Sequence, residues 1–195
     1  MRQRYAIMTG HMFRADRAAS RRMKAGLMRA YLDIETTFSA SISVIGIYRP
    51  DRGTTQLVGS GVRDDLLYEA LAGVQTLVTF NGSTFDLPMI RKRLYSDLKR
   101  DFEHCDLLYV CRRNGLRGGL KKVEELLGIG RATAGITGWD APRLWHRYEM
   151  NGDRAALQTL LDYNREDVVN LAVLEHHLGL SELEPACEMV RHIFA

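Results

Sequence analysis

Acidic and apolar residues alternate in the stretch Tyr31-Leu32-Asp33-Ile34-Glu35-Thr36-Thr37. Because successive side chains of a β-strand point to opposite faces, Asp33 and Glu35 share one face, while Leu32 and Ile34 occupy the other. Neighbouring carboxylates repel each other, and a fold tolerates them most easily where a hard cation such as Mg²⁺ or Mn²⁺ balances the charge. The stretch therefore predicts a strand with one core face and one acidic, metal-binding face.

A second acidic element is Phe80-Asn81-Gly82-Ser83-Thr84-Phe85-Asp86. It follows an apolar run at residues 76–80 and opens a helix predicted over residues 85–100. Asp86 falls in the first helical turn, where a carboxylate is favoured. The pattern N-x-x-x-F-D should arise by chance only roughly 0.01 times in a chain of this composition, which makes it the most specific string.

The third element is Tyr163-Asn164-Arg165-Glu166-Asp167, within a helix predicted over residues 154–178. Residues four apart share a helix face, so the Tyr163 hydroxyl and the Asp167 carboxylate can reach the same point. The pattern Y-x-x-x-D is weak alone, since about 0.5 chance occurrences are expected.

The remaining elements follow from periodicity and from turn residues. Three antiparallel strands precede a series of β-α units, which predicts an α/β domain with a central mixed five-stranded sheet flanked by helices. The predicted strands are residues 29–35, 41–48, 54–58, 76–80 and 105–109; the other predicted helices are 64–72, 119–127 and 142–150, with a mobile glycine-rich loop at 130–138 and a short tail at the end.

Basic charge is concentrated at the start of the chain. Of a total net charge of +3, residues 1–30 carry +7 and the remainder −4. We predict a basic, flexible N-terminal extension over residues 1–28 and one globular domain over residues 29–195. The extension is either an arm that holds nucleic acid phosphates or an upstream addition, the second being slightly favoured because several methionines could serve as alternative starts; a transit peptide is a third interpretation.

Membrane and disulfide-rich classes are excluded by composition. The longest apolar runs are too short to span a bilayer, and no signal-peptide pattern is found. The three cysteines are an odd number and lack CxxC spacing, which argues against a disulfide framework or a zinc site. We therefore expect a soluble, cytoplasmic protein.

In order and spacing, the three acidic elements resemble the three exonuclease motifs of the DEDD superfamily, in its tyrosine subclass. The histidine subclass has a histidine five residues before the last aspartate, where this chain has Asp162. Among tyrosine-type members, the chain resembles the YprB-like group of RNase H-like exonucleases, with support from residues 104–108 and 120–129. The resemblance covers about residues 29–180.

This resemblance implies an RNase H-like fold and a metal-dependent 3′→5′ exonuclease that releases nucleoside 5′-monophosphates from DNA or RNA. It also implies two divalent ions, Mg²⁺ or Mn²⁺, one held by Asp33, Glu35 and Asp167 and the other by Asp33 and Asp86. Tyr163 would orient the attacking water, since a phenol stays protonated at neutral pH. The substrate would be nucleic acid with a single-stranded 3′ end, bound by Thr36, Phe38, Asn81 and Phe85.

Several alternatives remain open at this stage. The domain could be a non-catalytic nucleic-acid-binding or regulatory module on the same fold, a metal-dependent endonuclease, or a nuclease that is active only with a partner. Phe38 is either an apolar wedge or a core residue. Trp139 and Trp145 are predicted to pack in the interior, with base stacking by Trp139 as the alternative. Basic clusters at 91–93, 99–100, 112–113 and 117–122 form either a phosphate track or solvated helix faces.

Overall fold

The structure, a computed structural model, describes residues 28–180 and 190–194. The predicted N-terminal extension, apart from Met28, lies outside these residues, as does Cys187. Within them, Cys105 and Cys111 are free thiols.

A mixed sheet forms the centre of the domain. Strands β1 (Arg29–Thr36), β2 (Ile42–Arg49) and β3 (Gly53–Val58) make the predicted antiparallel meander. Strand β4 (Thr76–Thr79) adds to β1 in parallel, and β5 (Glu103–Asp106) adds to β4 in the same sense. The fold class predicted from the sequence is confirmed.

A sixth strand, β6 (Val190–Phe194), pairs in parallel with β3, so the order in the described part is β5-β4-β1-β2-β3-β6. The prediction of five strands and a short tail was therefore incomplete. A five-residue segment carries too little periodicity to identify a strand on its own, and its hydrogen-bonding partner lies more than 100 residues earlier in the chain.

Helices cover both faces of this sheet. In the described residues they are α1 (Asp64–Ala70), α2 (Asp86–Leu94), α3 (Leu98–Asp101), α4 (Leu107–Arg113), α5 (Leu120–Leu127), α6 (Ala141–Asn151) and α7 (Arg154–His177). The longest of them, α7, packs against β1, β2 and β3 and against α6. None of the helices in residues 28–180 is long and apolar enough to cross a membrane.

Two predicted elements end earlier than expected, each because of one residue. The helix predicted over 85–100 stops at Tyr95, whose left-handed backbone (φ 60°) breaks it before α3 begins. The strand predicted over 105–109 ends at Asp106, whose carboxylate accepts a hydrogen bond from the Leu108 amide and caps α4. The apolar run that follows Asp106 fits either a buried strand or a buried helix, and the cap selects the helix.

Strand β1 separates two parts of the core. Leu32 and Ile34 pack with Leu67 of α1 and Ile90 of α2. Tyr31, on the opposite face, packs with residues of α4, α5 and α7. The alternation in the sequence thus predicted correctly that Leu32 and Ile34 face one layer, and it leaves Asp33 and Glu35 facing α7.

Candidate active site

Three carboxylates meet where α7 crosses β1. One oxygen each from Asp33, Glu35 and Asp167 lies within 4.8 Å of the other two. Glu35 and Asp167 are buried, and Asp33 is partly accessible. Oxygen donors grouped at this separation are the ligands that hard divalent cations prefer.

The fourth acid, Asp86, lies beside this group at the first residue of α2. Its Oδ1 accepts a hydrogen bond of 3.0 Å from the backbone amide of Ile34, the residue between Asp33 and Glu35. The side chain is buried. The structure therefore brings together the four acids that the sequence singled out.

Burial raises the pKa of every acid in the cluster. The pKa values of Asp33 and Glu35 lie well above their usual range. Burial is the largest cause, and repulsion from the charges of Asp86 and Asp167 is the next. Burial also raises the pKa of Asp86 to about 7 and that of Asp167 to about 6. The four acids can therefore be ionised together at neutral pH only where a cation balances their charge, and the all-oxygen donor set fits a divalent metal ion.

Asn164, in the turn of α7 before Asp167, orients Asp33. Its Nδ2 donates to Asp33 Oδ2 at 3.2 Å and to the Asp33 carbonyl at 3.4 Å. Gln56 of β3 donates to Asn164 Oδ1 at 2.9 Å, which leaves the Asn164 amide nitrogen to face Asp33. This positioning role was not predicted.

Gly46 makes room for Asn164. It pairs with Asp33 across β1 and β2, and a Cβ placed on it would lie 2.2 Å from Asn164 Oδ1. A glycine in the middle of a mainly apolar strand is a signal of such close approach, and it could have pointed to this contact.

Tyr163 lies one helical turn before Asp167, and its hydroxyl donates a hydrogen bond to that carboxylate. Burial, together with the negative charges of Asp167 and Glu35, raises the Tyr163 pKa, so the phenol remains protonated. The Lys121 ammonium lies 4.3 Å from the centre of its ring. Tyr163, Lys121, Asp33 and Asp167 line a cleft of about 300 Å³ together with Phe80, Gly119, Leu120, Thr137 and Gly138.

Arg131 supplies a buried positive charge that the sequence did not reveal. Its guanidinium forms an ion pair with Asp167 through Nη2 and another with Glu124 through Nε, at 2.9 Å. Only 9% of the side chain is exposed, and Glu124 beneath it is buried. The Arg131 charge opposes the rise that burial causes in the pKa of Asp167.

The loop that carries Arg131 was predicted to be mobile, and the structure instead ties it to α7. The Glu166 carboxylate accepts hydrogen bonds from the backbone amides of Ala132 and Thr133, the latter at 3.0 Å. Glycines and small residues suggested mobility, but Glu166 and Asp167 supply anchors that come from more than 30 residues away. The loop is therefore part of the site.

The loop before Asp86 is shaped by Asp106. Its two carboxylate oxygens accept from the backbone amides of Asn81, at 2.7 Å, and of Ser83, at 2.9 Å. Asn81 adopts a left-handed conformation (φ 65°), and its Oδ1 accepts from the Thr84 hydroxyl at 2.8 Å. Asn81, predicted to bind substrate, thus has a visible role in directing the chain into α2.

The other residues predicted to bind substrate lie at the surface. Phe38 is 67% exposed, which excludes the core interpretation, and Phe85 is 45% exposed. Thr36, at the end of β1, is partly exposed. Of the two tryptophans, Trp145 is buried as predicted, whereas Trp139 is 86% exposed, so the packing prediction for Trp139 is wrong.

Comparison with known families agrees with this arrangement. Residues 30–179 match the family model of the RNase_H superfamily. The chain belongs to this superfamily. Its mixed sheet flanked by helices is accordingly an RNase H-like α/β fold, and superfamily membership together with the acidic cluster points to a nuclease that acts on nucleic acid.

Two individual proteins extend the comparison. The Bacillus subtilis (strain 168) protein named "Uncharacterized protein YprB" is 34% identical over 118 residues, covering 54% of this chain and 28% of YprB. A family B DNA polymerase from the hyperthermophilic archaeon Pyrobaculum calidifontis shares the fold with a TM-score of 0.55 and 14% identity, over 77% of this chain and 24% of the polymerase. The chain thus spans less than a third of either protein, and at 14% identity the polymerase shows similarity of fold alone.

Proposed function

We propose that the protein is a 3′→5′ exonuclease of the tyrosine-type DEDD class, which hydrolyses phosphodiester bonds of DNA or RNA to nucleoside 5′-monophosphates. The observation that carries this proposal is the meeting of Asp33, Glu35 and Asp167 within 4.8 Å. Asp86 beside them, and Tyr163 one turn before Asp167, complete the set of residues that the DEDD resemblance calls for.

The metal ligands in this proposal are the four acids. Asp33, Glu35 and Asp167 would hold one Mg²⁺ or Mn²⁺ ion, and Asp33 with Asp86 a second. When bound, such ions neutralise charge on the phosphodiester and lower the pKa of water. The raised carboxyl pKa values support a cation at this place, because the acids ionise together only when their charge is balanced.

The side chains around the acids hold them and the substrate in position. Asn164 keeps the Asp33 carboxylate oriented, and Arg131 balances part of the charge on Asp167. Tyr163, protonated and within reach of Asp167, would orient the attacking water by hydrogen bonding rather than remove its proton. Thr36, Phe38, Asn81 and Phe85 would contact the terminal nucleotide at an unpaired 3′ end.

Labelled oligonucleotides test the proposal. Single-stranded DNA and RNA carrying a 5′ label should give a ladder that shortens progressively from the 3′ end in Mg²⁺ or Mn²⁺, and none in EDTA. Asp33→Asn, which preserves shape but removes a charged ligand, is the matched control and should abolish the ladder. Internal cuts would identify an endonuclease, and binding without cleavage would identify a non-catalytic module.

A further inference from the structure

An exposed aromatic and basic surface runs along α6. Trp139, just before the helix, Arg143 and His146 are all exposed, while Ala141 and Trp145 on the other side of the helix are buried. Arg143 and His146 are three positions apart, the spacing of one helix face, and Trp139 lies in the turn that leads into the helix. We call Trp139, Arg143 and His146 the α6 aromatic face.

One end of this face adjoins the acidic cleft, and the other contacts a residue that follows β1. The two residues before Trp139, Thr137 and Gly138, line the cleft together with Asp33 and Asp167. At the other end, the His146 ring meets the ring of Phe38 edge-on, with 6.0 Å between centroids. Phe38 lies three residues beyond Glu35. A nucleic acid strand that leaves the cleft can therefore pass over the α6 aromatic face.

The backbone that presents Trp139 is held in place. The Thr137 amide and hydroxyl both donate to Asp140 Oδ2, at 2.9 and 2.7 Å, and the Asp140 amide donates to the Thr137 carbonyl at 2.9 Å. Just before this turn, Lys121 donates to the Ile136 carbonyl. Because this backbone is already ordered, a ligand that stacks on the indole need not order the turn that carries it.

The chemistry of the face suits an unpaired nucleic acid strand. An indole that is 86% exposed offers a flat apolar surface, on which any nucleobase can stack independently of sequence. Arg143 is 73% exposed, and its ion pair with Asp140 is long, at 3.9 Å, which leaves the guanidinium accessible to a phosphate.

We propose that Trp139 stacks on a nucleobase of the unpaired strand while Arg143 contacts its backbone, so that the α6 aromatic face selects single-stranded ends. In a duplex every base face is covered by a neighbour except the outer faces of the two terminal pairs, so far fewer faces are offered to an indole. This inference rests on the proposed function, because it assumes that the 3′ end lies at the acids.

The chain has only two tryptophans, which gives a direct measurement of Trp139. In Trp145→Phe, Trp139 is the sole tryptophan, and its fluorescence should be quenched saturably by a 20-nucleotide single strand in EDTA, where hydrolysis is prevented. A blunt duplex of the same sequence should quench it much less. If Trp145→Phe unfolds, the difference between the wild type and Trp139→Phe reports the same signal.

Affinity variants complete the test. Trp139→Ala should weaken binding of the labelled single strand by about tenfold, as expected for the loss of one stacked base, and Trp139→Phe should recover most of the affinity. Tyr95→Ala is the matched control. Tyr95 is 91% exposed, but it follows the last residue of α2, whereas Asp86 is the first residue of that helix. With substrate, Trp139→Ala should raise KM about tenfold and change kcat less than twofold.

The outcomes separate this inference from the proposed function. Unquenched Trp139 fluorescence at saturation, or Trp139→Ala binding within twofold of wild type while the wild type degrades single strands, would overturn the inference and leave the exonuclease in place. Absence of cleavage by the wild type in every metal would overturn the exonuclease proposal, whatever the fluorescence shows.

Discussion

Replacing Gly46 by alanine should disable the site through a residue that touches no metal or substrate. The new Cβ would lie 2.2 Å from Asn164 Oδ1, more than 1 Å inside an ordinary contact. Asn164 cannot move aside easily, because it is fully buried and bonded to both Gln56 and Asp33. Overpacking of this kind costs about 1–3 kcal/mol, and a buried hydrogen-bonding group left unpaired costs a further ~1–3 kcal/mol.

We therefore expect Gly46→Ala to lower the free energy of unfolding by about 2–6 kcal/mol and to reduce nuclease activity in the fraction that remains folded. Urea denaturation followed by circular dichroism measures the first effect, and cleavage of the 5′-labelled strand measures the second. Gly130→Ala is the control, because a Cβ there meets open space, and it should change stability by less than about 0.5 kcal/mol.

A double-mutant cycle with Asn164→Ala decides whether the clash is the cause. Asn164→Ala removes the side chain that the new Cβ meets, so adding Gly46→Ala to that background should cost less than about 0.5 kcal/mol. An equal cost of Gly46→Ala in both backgrounds would refute the reasoning. The destabilisation would then come from the strand itself, independently of Asn164.

Two further predictions concern the charges at the site, and a third concerns Tyr163. Burial raises the pKa of Asp167 to about 6 and that of Asp86 to about 7, so the folded protein holds protons that the unfolded chain releases above about pH 4. Without metal, the free energy of unfolding should therefore fall by on the order of 3 kcal/mol as pH rises from 5 to 7. Saturating Mn²⁺ should remove this slope, and equal slopes in Mn²⁺ and EDTA would contradict metal binding by these acids. Arg131→Gln removes the guanidinium that is ion-paired with Asp167 and Glu124, so its Tm in EDTA should fall, and Mn²⁺ should raise its Tm more than it raises that of wild type. An equal Mn²⁺ effect on both proteins would mean that Arg131 does not balance the site. Asp167→Asn should nearly abolish cleavage and weaken metal binding measured by calorimetry. Tyr163→Phe should lower kcat and leave metal affinity nearly unchanged. If Tyr163→Phe cleaves at the wild-type rate in single-turnover experiments, Tyr163 does not orient the water.

Local patterns in the sequence were sufficient to predict much of the fold and the direction in which the acidic side chains point. Alternation in β1 predicted that Asp33 and Glu35 share a face, and the four-residue spacing in α7 predicted that Tyr163 and Asp167 reach the same point. The meander and the order of the β-α units also followed from local signals. Such predictions succeed because the backbone geometry of a strand or helix is repetitive, so sequence spacing translates directly into direction.

The partners that surround the acids depended on tertiary structure. Asn164 reaches Asp33 across 131 residues of chain, and Arg131 reaches Asp167 across 36. The exposure of Trp139 and the pairing of β6 with β3 likewise depend on which elements pack together. Spacing indicates which way a side chain points within its own element, but what lies opposite is decided by long-range packing. The acids could therefore be predicted from the sequence. The Asn164 amide that orients Asp33 and the Arg131 guanidinium that balances Asp167 could be identified only from the tertiary structure.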